Sequence, residues 1–125
     1  MKKQKGTNRS KNKYKWDLAL TNDVHLTGHR KSRPVVVVSD DGVNVKVSRI
    51  TSLDGKEDKI KRGYIQPIGR YKNLEKSSGV DKFKFSNDHK TGKKLDIEDS
   101  RVFRKVFREK LRRADRRKVE RHLKK

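Results

Sequence analysis

Four consecutive valines, Val35 to Val38, stand between Pro34 and the turn-forming Asp40-Asp41-Gly42. The run is β-branched throughout and too short for a helix, and a strand with one wet face would alternate apolar with polar residues. It therefore predicts a strand covered on both faces, by a barrel interior on one side and by a helix or partner chain on the other. Pro34 fixes its own φ and pushes Arg33 into an extended conformation. A basic side chain thus leads rigidly into a buried strand.

The rest of the chain reads around that strand. Trp16, Leu18 and Leu20 alternate and predict a first strand, followed by a loop from Thr21 to Arg33. Val43, Val45 and Val47 alternate with Asn44, Lys46 and Ser48 and predict a hairpin partner for the valine run. Ile50 falls out of phase with those valines, which predicts a bulge or strand end near Ser48–Arg49. Gly63–Ile68 reads as an edge strand because of Pro67, Leu74 to Gly79 as a turn, and Phe83 and Phe85 as one strand face. Val102, Phe103, Val106, Phe107, Leu111 and Ala114 fit one stripe of a helix beginning near Asp99 or Ser100, either of which can cap it. The fold class is mainly β with a C-terminal helix: five or six short strands in a small closed or half-closed barrel. Residues 1–15 read as a basic disordered tail, 16–98 as the barrel, and 99–125 as a basic amphipathic helix and tail.

Charge limits the partners. The 125 residues carry 37 Lys and Arg against 16 Asp and Glu, a net +21. Residues 1–15 hold seven basic side chains and no acidic one, and residues 101–125 a net +10, which leaves +4 for the middle. Such ends point to a polyanion, nucleic acid first. With no cysteine, disulfide scaffolds and thiolate zinc sites are excluded. The longest apolar run is the four valines, and Met-Lys-Lys lacks the apolar segment of a signal peptide, so a cytoplasmic protein with no membrane partner is expected.

The stretch GHRKSRPVVVVS followed by VNVKVSRITS resembles the MazF/PemK family of toxin endoribonucleases. There a glycine-containing loop ends in Arg-Pro and enters an apolar strand, and a second strand closes on Ile-Thr-Ser. The likeness covers about Trp16 to Ser52. It implies an SH3-like barrel with a terminal helix, a homodimer, and cleavage of single-stranded RNA without a metal or cofactor, held in check by an acidic antitoxin. It maps the family's catalytic arginine and threonine onto Arg33 and Thr51. Gly28, His29, Arg30, Lys31, Arg49, Ser52, Tyr64 and Gln66 are the accompanying candidates for RNA contact. His29 and Arg30 stand where the family has an acidic-Gln pair.

The chemistry follows from the substrate. RNA carries its own nucleophile in the 2′-hydroxyl, so cleavage needs orientation, proton transfer and stabilisation of extra phosphate charge. A fixed guanidinium supplies the last bidentately, and a hydroxyl positions the phosphate. Each feature also has a plain structural reading. Arg-Pro punctuates loops, Thr51 can bond locally, the rings of Trp16 and Tyr64 pack, and the lone histidines His25, His89 and His122 are solvated. The alternative to an endoribonuclease is a non-catalytic basic SH3-like module that binds RNA or ribosomes. A third reading is a scaffold whose basic ends grip an anionic partner.

Overall fold

The valine run lies in the second strand of a six-stranded antiparallel sheet. The computed structural model describes residues 9–124. Its strands are β1 (Asp17–Asn22), β2 (Ser32–Asp40), β3 (Val45–Ser52), β4 (Ile65–Pro67), β5 (Ser78–Asp81) and β6 (Phe103–Lys110). Two helices, α1 (Glu57–Lys61) and α2 (Arg113–Lys124), complete the elements, with a 3-10 turn at Asp23–His25. The spatial order is β4-β5-β3-β2-β1-β6. The architecture is mainly β with a C-terminal helix, and the sheet is open rather than a closed barrel. Among the described residues, no helix is long and apolar enough to cross a membrane.

Both faces of β2 are covered, which is why its sequence does not alternate. Val36 and Val38 join Trp16, Leu18, Ile50 and Val80 in one core, which Leu111 and Val119 cap from β6's end and α2. Val35 and Val37 join Ala19, Val45 and Val47 in a second core, covered by Leu26, Leu95, Ile97 and Val102. Burying a valine fully is worth about 1.5–3 kcal/mol, so both layers matter to stability. The second cover is irregular chain from the same molecule, not the helix or partner chain expected there. Ile50 needs no bulge or strand end at Ser48–Arg49: it alternates regularly with Val45 and Val47 and faces the other core. The irregularity lies on β2, between Val37 and Ser39.

The helix expected from Asp99 begins at Arg113. The segment read as its apolar stripe is β6, paired with β1. Two register shifts interrupt that pairing, and Arg108 adopts φ +59°. Each shift displaces the side-chain alternation, so the apolar spacing mimics a helical period. Asp99 instead caps a tight turn, its Oδ1 accepting from the Arg101 N–H at 3.0 Å. Ala114 is exposed, and α2 turns Val119 and Leu123 to the core.

Residues 9–15 are not a loose tail; residues 1–8 lie outside the described residues. The Asp40 carboxylate is buried and requires partners. Arg9 Nη2 donates to its Oδ1 at 2.7 Å, and the Tyr14 N–H to its Oδ2 at 2.9 Å. The expected turn ending at Gly79 is partly strand β5, where Gly79 allows β4 to approach. A Cβ there would stand 2.5 Å from Ile65 Cγ2. Pro67 does mark an edge strand. Phe85 bridges to Val47, whereas Phe83 is 63% exposed, so the two rings share no strand face.

The loop that follows β4, residues 69–73, is tied by side chains to the opposite edge strand β6 and to α2. Glu109 on β6 accepts the N–H groups of Lys72 and Asn73, both at 3.0 Å, and Asn73 Nδ2 at 2.7 Å. Asp115 at the start of α2 accepts from the Gly69 N–H at 3.0 Å and from the Tyr71 hydroxyl. Burial, together with Asp115, pushes the Tyr71 hydroxyl up to about 12. The same hydroxyl accepts the Arg112 N–H at 2.8 Å, and the Arg112 guanidinium lies over the Tyr71 ring.

Candidate nucleic-acid interface

Strands β2 and β3 pair with Val35 opposite Arg49. Two residues on, the same register brings Arg33 level with Thr51 near the ends of both strands. Side chains alternate along a strand, so Arg33, Arg49 and Thr51 leave the sheet on the face of Val35 and Val37. On the other side of β2, Thr21 Oγ1 donates to the Arg33 carbonyl at 3.1 Å. The Arg33 backbone is thus held by Pro34 and by its pairing with Thr21 of β1.

Behind these side chains sits Asp23, which has no solvent-exposed surface. Its N–H donates to the Lys31 carbonyl at 2.8 Å, and its carbonyl accepts from Leu26 and Thr27. Thr27 Oγ1 donates to Asp23 Oδ2 at 2.6 Å. The same oxygen lies 3.7 Å from Arg33 Nε and 3.5 Å from Arg49 Nη1. Arg49 Nη2 also stands 3.4 Å from Asp81 Oδ2, and its guanidinium lies 5.8 Å from the Phe85 ring centroid. A buried carboxylate is tolerable only with charge partners, and here two guanidinium groups share one. These separations exceed strong hydrogen-bond lengths. Both guanidinium side chains remain partly exposed and line the cleft, whereas Arg33 Nε, Arg49 Nε and Asp23 Oδ1 are buried without a hydrogen-bond partner.

Arg33 and Thr51 form a ridge between two clefts. The first, about 610 Å³, is lined by Arg33, Arg49, Thr51, Lys56, Lys59, Tyr64, Asp81 and Phe83 among others. Four cations against one carboxylate give it a positive field. Lys56 Nζ donates to Thr51 Oγ1 at 3.4 Å, so an ammonium accompanies the hydroxyl. The second, about 410 Å³, includes Lys31, Ser32, Arg33, Thr51, Ser52, Lys76 and Phe107. A third, about 540 Å³, adjoins it through Lys31 and Ser32 and adds Arg30, Lys90 and Arg104.

Most residues singled out in the sequence meet here. Arg33, Thr51, Lys31, Arg49, Ser52 and Tyr64 line the first two clefts, and Arg30 the third. Three do not converge. His29 is exposed on the loop and lines none of these clefts. Gly28, with φ +91°, faces His89, whose imidazole would stand 3.4 Å from an added Cβ. Gln66 turns its amide to the Pro67 carbonyl at 2.9 Å. Of the other histidines expected to be solvated, His89 is exposed, but His25 Nδ1 lies 2.9 Å from Asp88 Oδ1 and His122 is buried.

Sequence reasoning misses Asp23, Lys56, Asp81 and Phe83. Asp23 follows directly on the first strand, in a loop whose polar composition carries no sign of burial. Among the described residues, no group of three or more His, Cys, Asp or Glu side chains is gathered to hold a metal ion. Compared with protein-family models, curated proteins and solved structures, the chain matches none.

Proposed function

We propose that this protein cleaves single-stranded RNA, with Arg33 and Thr51 at the scissile phosphate. The observation that supports the reading is the ridge itself. A guanidinium oriented by buried Asp23 stands level with the Thr51 hydroxyl, between two clefts of positive charge. In the reaction the ribose 2′-oxygen bonds to the adjacent phosphorus as the bond to the 5′-oxygen breaks. The 2′-hydroxyl proton is removed and a proton is delivered to the leaving oxygen, so the products are a 2′,3′-cyclic phosphate and a 5′-hydroxyl. Arg33 stabilises the added charge on the phosphoryl oxygens, which a guanidinium contacts in bidentate fashion. Thr51, with Lys56 beside it, orients the phosphate. The resemblance to MazF/PemK toxins supplies the setting: an RNA-cutting toxin, homodimeric, neutralised by an acidic antitoxin.

The test is cleavage of end-labelled single-stranded RNA in the presence of a chelator, with the product ends identified. Arg33→Ala is expected to lower the rate about 10²–10³-fold. Arg33→Lys, which keeps the charge but loses the planar fork, should restore only part of it. RNA binding without cleavage in the unaltered protein, or full activity in Arg33→Ala, overturns the reading in favour of a binding module.

A further inference from the structure

Two large aromatic rings, Tyr64 and Phe83, are exposed in the Arg33–Arg49 cleft. Ile65 pairs with Asp81, and the Lys82 N–H donates to the Tyr64 carbonyl at 3.0 Å, so the chain leaves β4 and β5 at the same level. Tyr64 just before β4 and Phe83 two residues beyond β5 both line the cleft and are 43% and 63% exposed. Packing explains neither ring, since neither belongs to a core. Lys82 Nζ lies 5.6 Å from the Tyr64 ring centroid, which adds a cation next to the aromatic surface. At the opposite end of the three clefts the character inverts: Arg30, Lys31, Lys90 and Arg104 line a cleft with no carboxylate and no ring. Arg104 Nη1 is held there by Ser32 Oγ at 2.9 Å.

We propose that the three clefts form one track for a single strand of RNA, with a base-stacking end and a phosphate-only end. Tyr64 and Phe83 offer faces on which bases stack, Arg33 and Thr51 meet the next phosphate, and Lys90 and Arg104 take a phosphate further along. Stacking is worth about 1–3 kcal/mol per base, whereas lysine and arginine contacts to phosphate release counterions and scale with salt. The two ends therefore leave different signatures. The proposal rests on the RNA reading of the site but not on cleavage.

The experiment measures binding of an uncleavable 2′-O-methyl RNA strand of mixed sequence as a function of salt, so that loss of catalysis does not enter. Tyr64→Ala and Phe83→Ala should each weaken binding about 5–150-fold with the salt exponent unchanged. Lys90→Gln with Arg104→Gln should lower the exponent by about 0.7 for each phosphate of the single strand that is no longer neutralised. All four side chains are exposed, and near-wild-type urea midpoints would show that the variants fold. Ring variants that bind as tightly as the parent would overturn the stacking end, and an unchanged exponent in the double variant would overturn the phosphate end. Polyglutamate of equal charge tests for general anion attraction: it should bind more weakly than the RNA, with no effect of the ring variants. If it bound as tightly as RNA of the same charge, the track would be overturned. Normal binding by these criteria without cleavage would leave the track standing and remove the nuclease reading alone.

Discussion

Arg33 Nε stands 3.7 Å from Oδ2 of Asp23, a carboxylate wholly withdrawn from solvent that also faces Arg49. Asp23→Asn keeps the shape and removes the charge between two guanidinium groups. The variant should be less stable by about 1–3 kcal/mol, the cost of leaving buried polar groups poorly paired. Its RNA cleavage should fall at least tenfold as Arg33 loses its orientation. Urea denaturation and a cleavage assay on the same preparation check both. An Asp23→Asn protein that is fully active would show that Arg33 needs no anchor.

Asp40 predicts how the segment before β1 responds to acid. Burial pushes its carboxyl up, but the Arg9 guanidinium and the N–H groups of Tyr14 and Gly42 outweigh this and hold it below the ordinary 3.8. A depressed folded pKa means that the stabilisation is complete above about pH 4 and is lost as pH falls through the folded value. Trp16, the single tryptophan, follows directly on this segment. Its fluorescence should report an acid transition that Asp40→Asn lacks; the same transition in both proteins would assign it elsewhere.

Asp17 has the opposite sign. Burial raises its pKa, only partly offset by Lys110, so its ionised form costs stability as pH rises through the folded pKa. Asp17→Asn should therefore raise the urea midpoint at pH 7 and matter less in acid. Lys110 would not be stranded, because its Nζ also donates to the carbonyls of Lys13 and Lys15 at 3.0 and 3.1 Å. A lower midpoint at neutral pH would contradict this.

Truncation separates two parts of the basic N-terminus. Removing residues 1–8 takes away Lys2, Lys3 and Lys5 and should lower the salt exponent for RNA by up to about 2. Stability and the position of cleavage should be unchanged. Removing residues 1–15 also deletes Arg9 and leaves the buried Asp40 charge without its ion-pair partner, at a cost of about 3–5 kcal/mol. Equal urea midpoints for the two truncations would refute that difference.

What the sequence makes legible follows the strength of each local signal. Val35–Val38 identifies the doubly covered strand and Pro67 an edge. Arg33 and Thr51 come together because hairpin register is set by the alternating valines around one turn. β6 reads as a helix because two register shifts and the left-handed Arg108 break its alternation. Arg9 and Tyr14 look like tail because their order depends on Asp40, 31 and 26 residues away. Asp23 is invisible for the same reason: no local pattern distinguishes a carboxylate that will meet two distant arginines from one that will meet water.

The tie between β6 and the loop after β4 has a consequence of its own. Elsewhere in the sheet neighbouring strands are held by peptide groups, which neither gain nor lose protons in the physiological range. Across this gap the acceptors include the carboxylate of Glu109. Burial tends to raise its pKa, but Asn73 and the backbone N–H groups it receives hold it below its usual range. The wall of the sheet is thus fastened at one place by a clasp that protons can undo. In acid strong enough to protonate Glu109, Lys72 and Asn73 would come away from the rim, while Asp115 and Arg112 keep residues 69–71 in place and the ladders around the valine strand keep their hold.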